Sequence, residues 1–221
     1  EDAAHAHGST LNGIKVGNFS DAASFSFYPT KIITSGEGGM INTNNEAMNN
    51  LARVIRDQGK SGFFTADFIE FGHNYRMSEL KAAVGLTHLK HLDSFIKERN
   101  EIAKKYDKAL KSIKGIKSLK IPEESKSNYY KYIAFLDKGI DRAAVKKELK
   151  EKYGINLSGE VYERPLHLQR ASKNFKYKEG DFPVAEDVCK RHICLPIYQT
   201  MTDKEINHVV NSIREVLKWS V

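Results

Sequence analysis

Hydrophobic and polar residues change along the chain in short blocks that predict a mixture of strands and helices. Residues 22–27 alternate small and aromatic side chains, a pattern typical of a buried strand. A segment rich in turn-forming residues over 30–39 separates it from a second extended stretch over 40–43. The polar residues that follow predict the start of a helix over 45–56, with its apolar residues on one face.

From residue 78 onwards the chain carries longer helical patterns. Residues 78–113 place apolar side chains at helical spacing, which predicts one long helix or a bent pair. Beyond Gly115 the pattern becomes a mixture of a strand over 129–136, a helix over 141–153 and a last helix over 203–219. These elements predict an α/β fold, and we place a boundary between two domains inside the long helical stretch, near residue 95.

The last helix has the clearest signals of its own. Thr202 and Glu205 have the spacing of a capping box, in which each side chain satisfies a backbone N–H of the other residue. The predicted apolar stripe of this helix consists of Ile206, Val209, Val210, Ile213 and Leu217.

Composition and charge exclude several classes of protein. A hydrophobic content of 40% and a charged content of 29% are those of an ordinary globular protein. No apolar run approaches the length of a membrane helix and no secretory leader is recognisable, so we predict a cytoplasmic protein without membrane association. The net charge of +7 comes from lysines spread along amphipathic helices, so we expect no nucleic-acid partner.

The cysteine and histidine positions do not suggest a metal site. Cys189 and Cys194 are five residues apart, which fits neither a redox motif nor a zinc pair. Six histidines also lack ligand spacing to neighbouring cysteines or carboxylates, so we predict surface or core positions for all of them: His7, His73, His88, His91, His192 and His208.

The strongest chemical signal comes from short motifs near the start of the chain. They are Glu1-Asp-Ala-Ala-His-Ala-His-Gly8, Ser24-Phe-Ser-Phe-Tyr-Pro-Thr-Lys31 and Gly36-Glu-Gly-Gly39, followed by Gly72-His-Asn-Tyr-Arg-Met77, Pro165-Leu-His-Leu-Gln169 and Leu195-Pro196. With these motifs the chain resembles the DegT/DnrJ/EryC1/StrS family of fold-type-I pyridoxal phosphate enzymes, which have the aspartate aminotransferase-like fold.

The resemblance implies a domain organisation. Residues 1–95 would be the C-terminal portion of the large cofactor-binding domain, and residues 96–221 a small C-terminal α/β domain. Members of the family are usually considerably longer than this chain, so we expect it to be the C-terminal part of a longer protein.

Lys31 is the predicted catalytic residue. The aldehyde of the cofactor needs an amine that loses its proton near neutral pH, which a sheltered lysine provides. Lys31 follows an apolar strand and precedes a glycine-rich turn, so it can point into a cleft. By resemblance, Lys31 forms the Schiff base with pyridoxal 5'-phosphate.

The resemblance also implies the other contacts. The carboxylate of Asp2 would keep the pyridine nitrogen protonated, and His5 would contact the ring or its phenolic oxygen. Ser26 would bind the phosphate, and Asn74 would reach the phosphate from the other subunit of a homodimer with shared active sites. His167 resembles a family histidine near the sugar site.

The implied reaction is an amino-group transfer, with glutamate as the expected donor, to a keto sugar attached to a nucleotide, in amino-sugar or cell-surface polysaccharide biosynthesis. Two alternatives stay open. A sister group of sugar dehydratases carries histidine in place of the lysine, so Lys31 argues against it. A non-catalytic regulatory protein would need a basic recognition helix, and the sequence has no helix-turn-helix pattern or arginine cluster.

Overall fold

The computed structural model describes residues 1–157 and 162–218. The strands are β1 (Thr10–Leu11), β2 (Ile14–Lys15), β3 (Ala22–Ser26), β4 (Gly39–Thr43), β5 (Ile116–Ser118), β6 (Ser125–Lys126), β7 (Tyr132–Leu136) and β8 (His192–Leu195). The helices are α1 (Glu46–Arg56), α2 (Glu79–Lys90), α3 (Leu92–Leu110), α4 (Arg142–Tyr153), α5 (Pro183–Arg191) and α6 (Asp203–Lys218). Two short 3₁₀ segments lie at Leu166–Leu168 and Arg170–Phe175.

The chain divides into two compact units. The first comprises Glu1–Lys97 with Ile121–Tyr130, and the second comprises Glu98–Lys120 with Lys131–Val221. The assignment of 1–95 to a large cofactor-binding domain and of 96–221 to a small domain stays a prediction.

The first unit is built on two antiparallel sheets. β3 and β4 pair over five residues, from Ala22 opposite Thr43 to Ser26 opposite Gly39. The second sheet has the order β2-β1-β6. Both predicted strands are therefore confirmed to within one residue. The pairing ends at Ser26, five residues before Lys31.

The helices of the first unit begin at predictable caps but leave their apolar sides uncovered. Asn45 caps α1 by accepting a hydrogen bond from the backbone N–H of Met48. Among the described residues, neither α1 nor α2 contributes a buried one. On the predicted apolar face of α1, Met48 is 42% exposed and Leu51 is 52% exposed. The periodic pattern predicted this helix correctly, although Met48 and Leu51 on its apolar face stay exposed.

The long helical stretch is a bent pair. α2 ends at Lys90, its C-cap residue His91 donates its backbone N–H to the carbonyl of His88, and α3 begins at Leu92. The prediction that residues 78–113 form one long helix or a bent pair is thus confirmed in its second form.

The second unit has a three-stranded antiparallel sheet in the order β5-β7-β8. All four residues of β8 are buried, and α4 and α6 pack against each other. Asp141 caps α4 by accepting hydrogen bonds from two backbone N–H groups, and Gly154 ends it in the left-handed conformation at a φ of 67°. The five residues of the predicted stripe on α6 are all buried.

The structure corrects one predicted strand bound in the second half of the chain. The strand predicted over 129–136 begins only at Tyr132, because Tyr129 has a φ of 48°, which lies outside the extended region. The capping box of Thr202 and Glu205 is confirmed, with a Glu205 oxygen 2.7 Å from the backbone nitrogen of Thr202. The last helix is described to Lys218, and Trp219 lies outside the described residues.

In the part of the chain that the structure describes, none of the helices has both the length and the apolar character needed to traverse a lipid bilayer.

Candidate active site

Lys31 lies in a turn that directly follows β3. Its backbone N–H donates to the carbonyl oxygen of Tyr28 at 2.9 Å, and its side chain is half-buried. The next two residues, Ile32 and Ile33, are each only 3% exposed. Burial of this apolar pair anchors the turn, so the backbone that carries the Lys31 amine is fixed in place.

The amine of Lys31 lies over an aromatic ring. The distance from Lys31 Nζ to the centroid of the Tyr130 ring is 4.9 Å, within the range of a cation–π contact. The imidazole of His5 packs on the same ring, with 4.4 Å between centroids. The Tyr130 hydroxyl is 2.9 Å from the hydroxyl of Thr30. The structure thus brings two of the predicted site residues, Lys31 and His5, to one tyrosine side chain.

Asp2 runs beside β3. Its backbone forms an isolated parallel bridge with Ser24, and the backbone N–H of Ala3 donates to the Ser24 carbonyl at 3.0 Å. One carboxylate oxygen accepts a hydrogen bond from the backbone N–H of Ala4 at 3.0 Å, and the residue is exposed. A carboxylate therefore stands beside the strand that leads to Lys31.

Ser26 is the last residue of β3, two positions beyond the residue that pairs with Asp2. Its side-chain oxygen accepts a hydrogen bond from the backbone N–H of Tyr28 at 3.3 Å. A serine hydroxyl both accepts and donates, so its O–H can still be given to an anion such as a phosphate.

His7 is packed under this region. It is 4% exposed, and its ring centroid lies 5.4 Å from that of Phe25 and 5.8 Å from that of Phe27. Burial disfavours the charged imidazolium and is the main reason why the pKa of His7 is lowered to about 4. The nearby charges of Lys31 and His5 add to this lowering, and a contact with the backbone of Ser26 opposes it. His7 is thus a neutral core residue at neutral pH, whereas the sequence left open a surface or a core position for it.

Asn128 fastens the segment that carries Tyr130. It is 3% exposed, and its side-chain nitrogen donates to the carbonyl oxygens of His5 at 2.9 Å and His7 at 3.0 Å. Its side-chain oxygen accepts from the backbone N–H of Tyr130 at 2.9 Å, and its own backbone N–H donates to the Ser9 hydroxyl. One buried amide therefore ties the His5 segment to the Tyr130 segment.

Asn74 also belongs to the first unit. It forms an isolated antiparallel bridge with Asp57, and it is exposed. The flanking side chains of His73 and Tyr75 stack on each other, with 4.6 Å between centroids. Among the described residues, no hydrogen bond joins Asn74 to Lys31, Asp2 or Ser26, so the structure does not bring Asn74 into contact with them.

His167 lies in the second unit, in the 3₁₀ segment Leu166–Leu168. Its Nε2 atom is 3.0 Å from a carboxylate oxygen of Glu186. Burial of Glu186 acts to raise its pKa, but hydrogen bonds from the backbone N–H groups of Gly180 and Phe182 and from His167 outweigh burial, and the pKa is lowered. The ionised carboxylate fixes the orientation of the His167 ring.

Sequence reasoning missed several of these residues. Asn128 and Tyr130 carry no motif that indicates their contacts with His5 and Lys31, because those contacts join distant parts of the chain. Glu186 was also missed, because nothing in its local sequence shows that it meets His167. Such a contact depends on residues 19 positions apart.

The side chains of the first unit suit pyridoxal phosphate. The half-buried amine of Lys31, which can attach covalently, and the imidazole of His5 lie on the same tyrosine ring. The carboxylate of Asp2 and the hydroxyl of Ser26 lie along β3. These are the groups that an aldehyde, a protonated pyridine nitrogen and a phosphate each need.

Comparison with known proteins agrees with this chemistry. The chain is 34% identical to the spore coat polysaccharide biosynthesis protein SpsC of Bacillus subtilis, over 99% of this chain and 59% of that protein. It is 32% identical to GDP-perosamine synthase of Escherichia coli O157:H7, over 97% of this chain and 57% of that protein. The chain thus spans less than two thirds of the length of these relatives.

Solved structures show the same fold. Spr1654 of Streptococcus pneumoniae, in its PMP form, superposes with a TM-score of 0.91 at 26% identity, over 100% of this chain and 59% of that one. The same protein has also been solved in a PLP form. The predicted α/β fold of the type-I pyridoxal phosphate enzymes is confirmed.

The model of the DegT/DnrJ/EryC1/StrS aminotransferase family matches residues 1–214. This family depends on pyridoxal phosphate. Because the match covers nearly the whole sequence, the chain belongs to the DegT/DnrJ/EryC1/StrS aminotransferase family.

Proposed function

We propose that the protein is a pyridoxal 5'-phosphate-dependent aminotransferase that transfers an amino group, from glutamate, to a nucleotide-linked keto sugar. The observation that carries this proposal is the position of Lys31. Its Nζ lies over Tyr130 beside His5, on the turn that follows the strand flanked by Asp2.

Each residue has a defined task in this proposal. The amine of Lys31 would hold the cofactor through its aldehyde, with loss of water, and once released would carry a proton to and from the substrate carbon. When bound, pyridoxal phosphate supplies a ring that accepts electrons from that carbon. The Asp2 carboxylate holds a proton on the pyridine nitrogen, His5 contacts the ring, and Ser26 donates its O–H to the phosphate.

The substrate class follows from the relatives and from His167. The relatives include GDP-perosamine synthase and a UDP-amino-sugar transaminase of Campylobacter jejuni, whose names state nucleotide-linked sugars. His167 offers a ring whose orientation is set by Glu186, so it can present one fixed N–H or lone pair to a sugar hydroxyl. We propose that His167 contacts the sugar.

We further propose a homodimer in which Asn74 reaches the phosphate of the partner's site. Large aromatic side chains are exposed in the sequence just before Asn74, among them Phe64 at 98% and Phe71 at 96%. Exposed apolar clusters of this kind mark interaction surfaces. Burial of this segment against a second copy would cover these rings.

Replacement of Lys31 tests the proposed function. In the purified protein with pyridoxal phosphate, Lys31→Ala should abolish the absorbance band of the lysine–cofactor link and the transfer activity. Lys60→Ala is the matched control, because the Lys60 amine also lies near an aromatic ring, 5.9 Å from the centroid of Phe68. A band that persists in Lys31→Ala, or disappears in Lys60→Ala, would refute the assignment.

A further inference from the structure

Tyr130 has contacts that are unusual for a tyrosine with no assigned role. Its ring receives the Lys31 amine at 4.9 Å and the His5 imidazole at 4.4 Å. Both of these neighbours are residues that the proposed function places on the cofactor. The Tyr130 side chain thus contacts both Lys31, which is proposed to attach to the cofactor, and His5, which is proposed to contact the cofactor ring.

The Tyr130 ring is itself held from two sides. Its hydroxyl is 2.9 Å from the Thr30 hydroxyl, one residue before Lys31. Its backbone N–H is bound by the side chain of Asn128, which also binds the carbonyl of His5. Asn128 is buried, so these hydrogen bonds are shielded from competition with water.

Lysine has a long, flexible side chain. Restricting its rotamers lowers the entropic cost of bringing the amine to the one carbon atom with which it must react. We propose that Tyr130, held in place by Asn128, is a positioning residue. It restricts the Lys31 amine and the His5 ring to the positions that attachment of the cofactor requires. This inference rests on the proposed function of Lys31 and adds to it a residue whose role is to place that amine.

The hydroxyl and the ring of Tyr130 can be tested separately for their effect on the position of Lys31. Lys31 and His5 contact the ring, whereas the hydroxyl bonds to Thr30. Tyr130→Phe keeps the ring and should preserve most of the effect. Tyr130→Leu removes the aromatic surface and should not.

The test measures where and how fast the cofactor attaches. The purified protein is incubated with pyridoxal 5'-phosphate, reduced with borohydride at intervals, and digested, and the labelled lysines are quantified by mass spectrometry. Labelling at Lys60 in the same sample is the internal reference. For Tyr130→Leu, the rate at Lys31 relative to Lys60 should fall by about threefold to tenfold, as expected when one side chain loses its restriction.

Tyr130→Phe should stay within about twofold of the wild-type ratio, because it retains the ring contact. Equal Lys31 labelling in Tyr130→Leu and wild type, or an equal loss in Tyr130→Phe and Tyr130→Leu, would overturn the inference. If Tyr130→Leu does not fold, Tyr130→Met carries the same test with a side chain of similar length. If wild-type Lys31 is itself not labelled, the proposed function fails, and that result is distinct from a failure of this inference.

Discussion

The Nε2 atom of His167 lies 3.0 Å from a carboxylate oxygen of Glu186, and the two side chains are only 7% and 8% exposed. The same carboxylate accepts hydrogen bonds from the backbone N–H groups of Gly180 at 2.9 Å and Phe182 at 3.3 Å. Glu186 therefore joins the loop before α5 to the 3₁₀ segment that carries the proposed sugar contact.

Removal of this carboxylate should damage both stability and substrate binding. Glu186→Ala leaves two backbone donors and His167 without their acceptor, and such buried donors are costly. We expect a lower thermal midpoint and a higher KM for the nucleotide sugar. Glu179→Ala is the control, because Glu179 pairs with Lys190 on the surface and is 71% exposed. Wild-type behaviour of Glu186→Ala in both measurements would contradict this role.

The N-cap of α4 provides a test of local stability. The Asp141 carboxylate accepts hydrogen bonds from the backbone N–H groups of Ala143 at 2.8 Å and Ala144 at 3.2 Å. Asp141→Ala should lower the free energy of unfolding by about 1 kcal/mol, whereas Asp141→Asn, which keeps the acceptor, should change it much less. Urea unfolding of the three proteins measures both values. Equal losses in the two variants would show that the cap bond is not the cause.

His7 should make stability depend on pH. Its pKa falls from 6.5 to about 4 on burial, so the unfolded chain binds a proton in this window that the folded protein does not. The free energy of unfolding should therefore decrease as pH is lowered from 6.5 towards 4. His7→Phe removes the titrating group and should flatten that slope in denaturant unfolding series. An unchanged slope would mean that other groups produce the dependence.

Mixed subunits can test the shared site. If Lys31 and Asn74 of one site come from different subunits, Lys31→Ala and Asn74→Ala proteins should each be impaired, and a mixture allowed to exchange subunits should recover activity. With random exchange in a two-fold dimer, about a quarter of the sites carry both native residues. Absence of any recovery, with exchange confirmed by mass, would place both residues in the same subunit or exclude the shared site.

Much of the fold could be predicted from periodicity and capping residues. The two extended segments that become β3 and β4, the helical stretch over 78–113 and the capping box at Thr202 follow from local patterns, whereas the choice of a bent pair over one long helix does not. Local signals suffice there because a helix start or a strand pattern depends on neighbouring residues. The late start of β7 was not predicted. It coincides with the positive φ of Tyr129, next to Asn128, whose side chain bonds to the distant backbone carbonyls of His5 and His7.

The site was predictable only in part for the same reason. Lys31, Asp2, His5 and Ser26 lie in continuous motifs, so sequence alone could indicate them. The contact of Lys31 with Tyr130 joins residues about a hundred positions apart and appears only in the folded chain. The predicted roles of Asp2, His5, Ser26, Asn74 and His167 stay predictions.

The most direct test of the central claim is to locate the covalent bond. The purified protein, saturated with pyridoxal 5'-phosphate and reduced with borohydride, should carry one stoichiometric pyridoxyl group above the slow background labelling of other lysines, and tandem mass spectrometry should place it on Lys31. A stoichiometric label on any other lysine, or no label at saturating cofactor, would contradict the account.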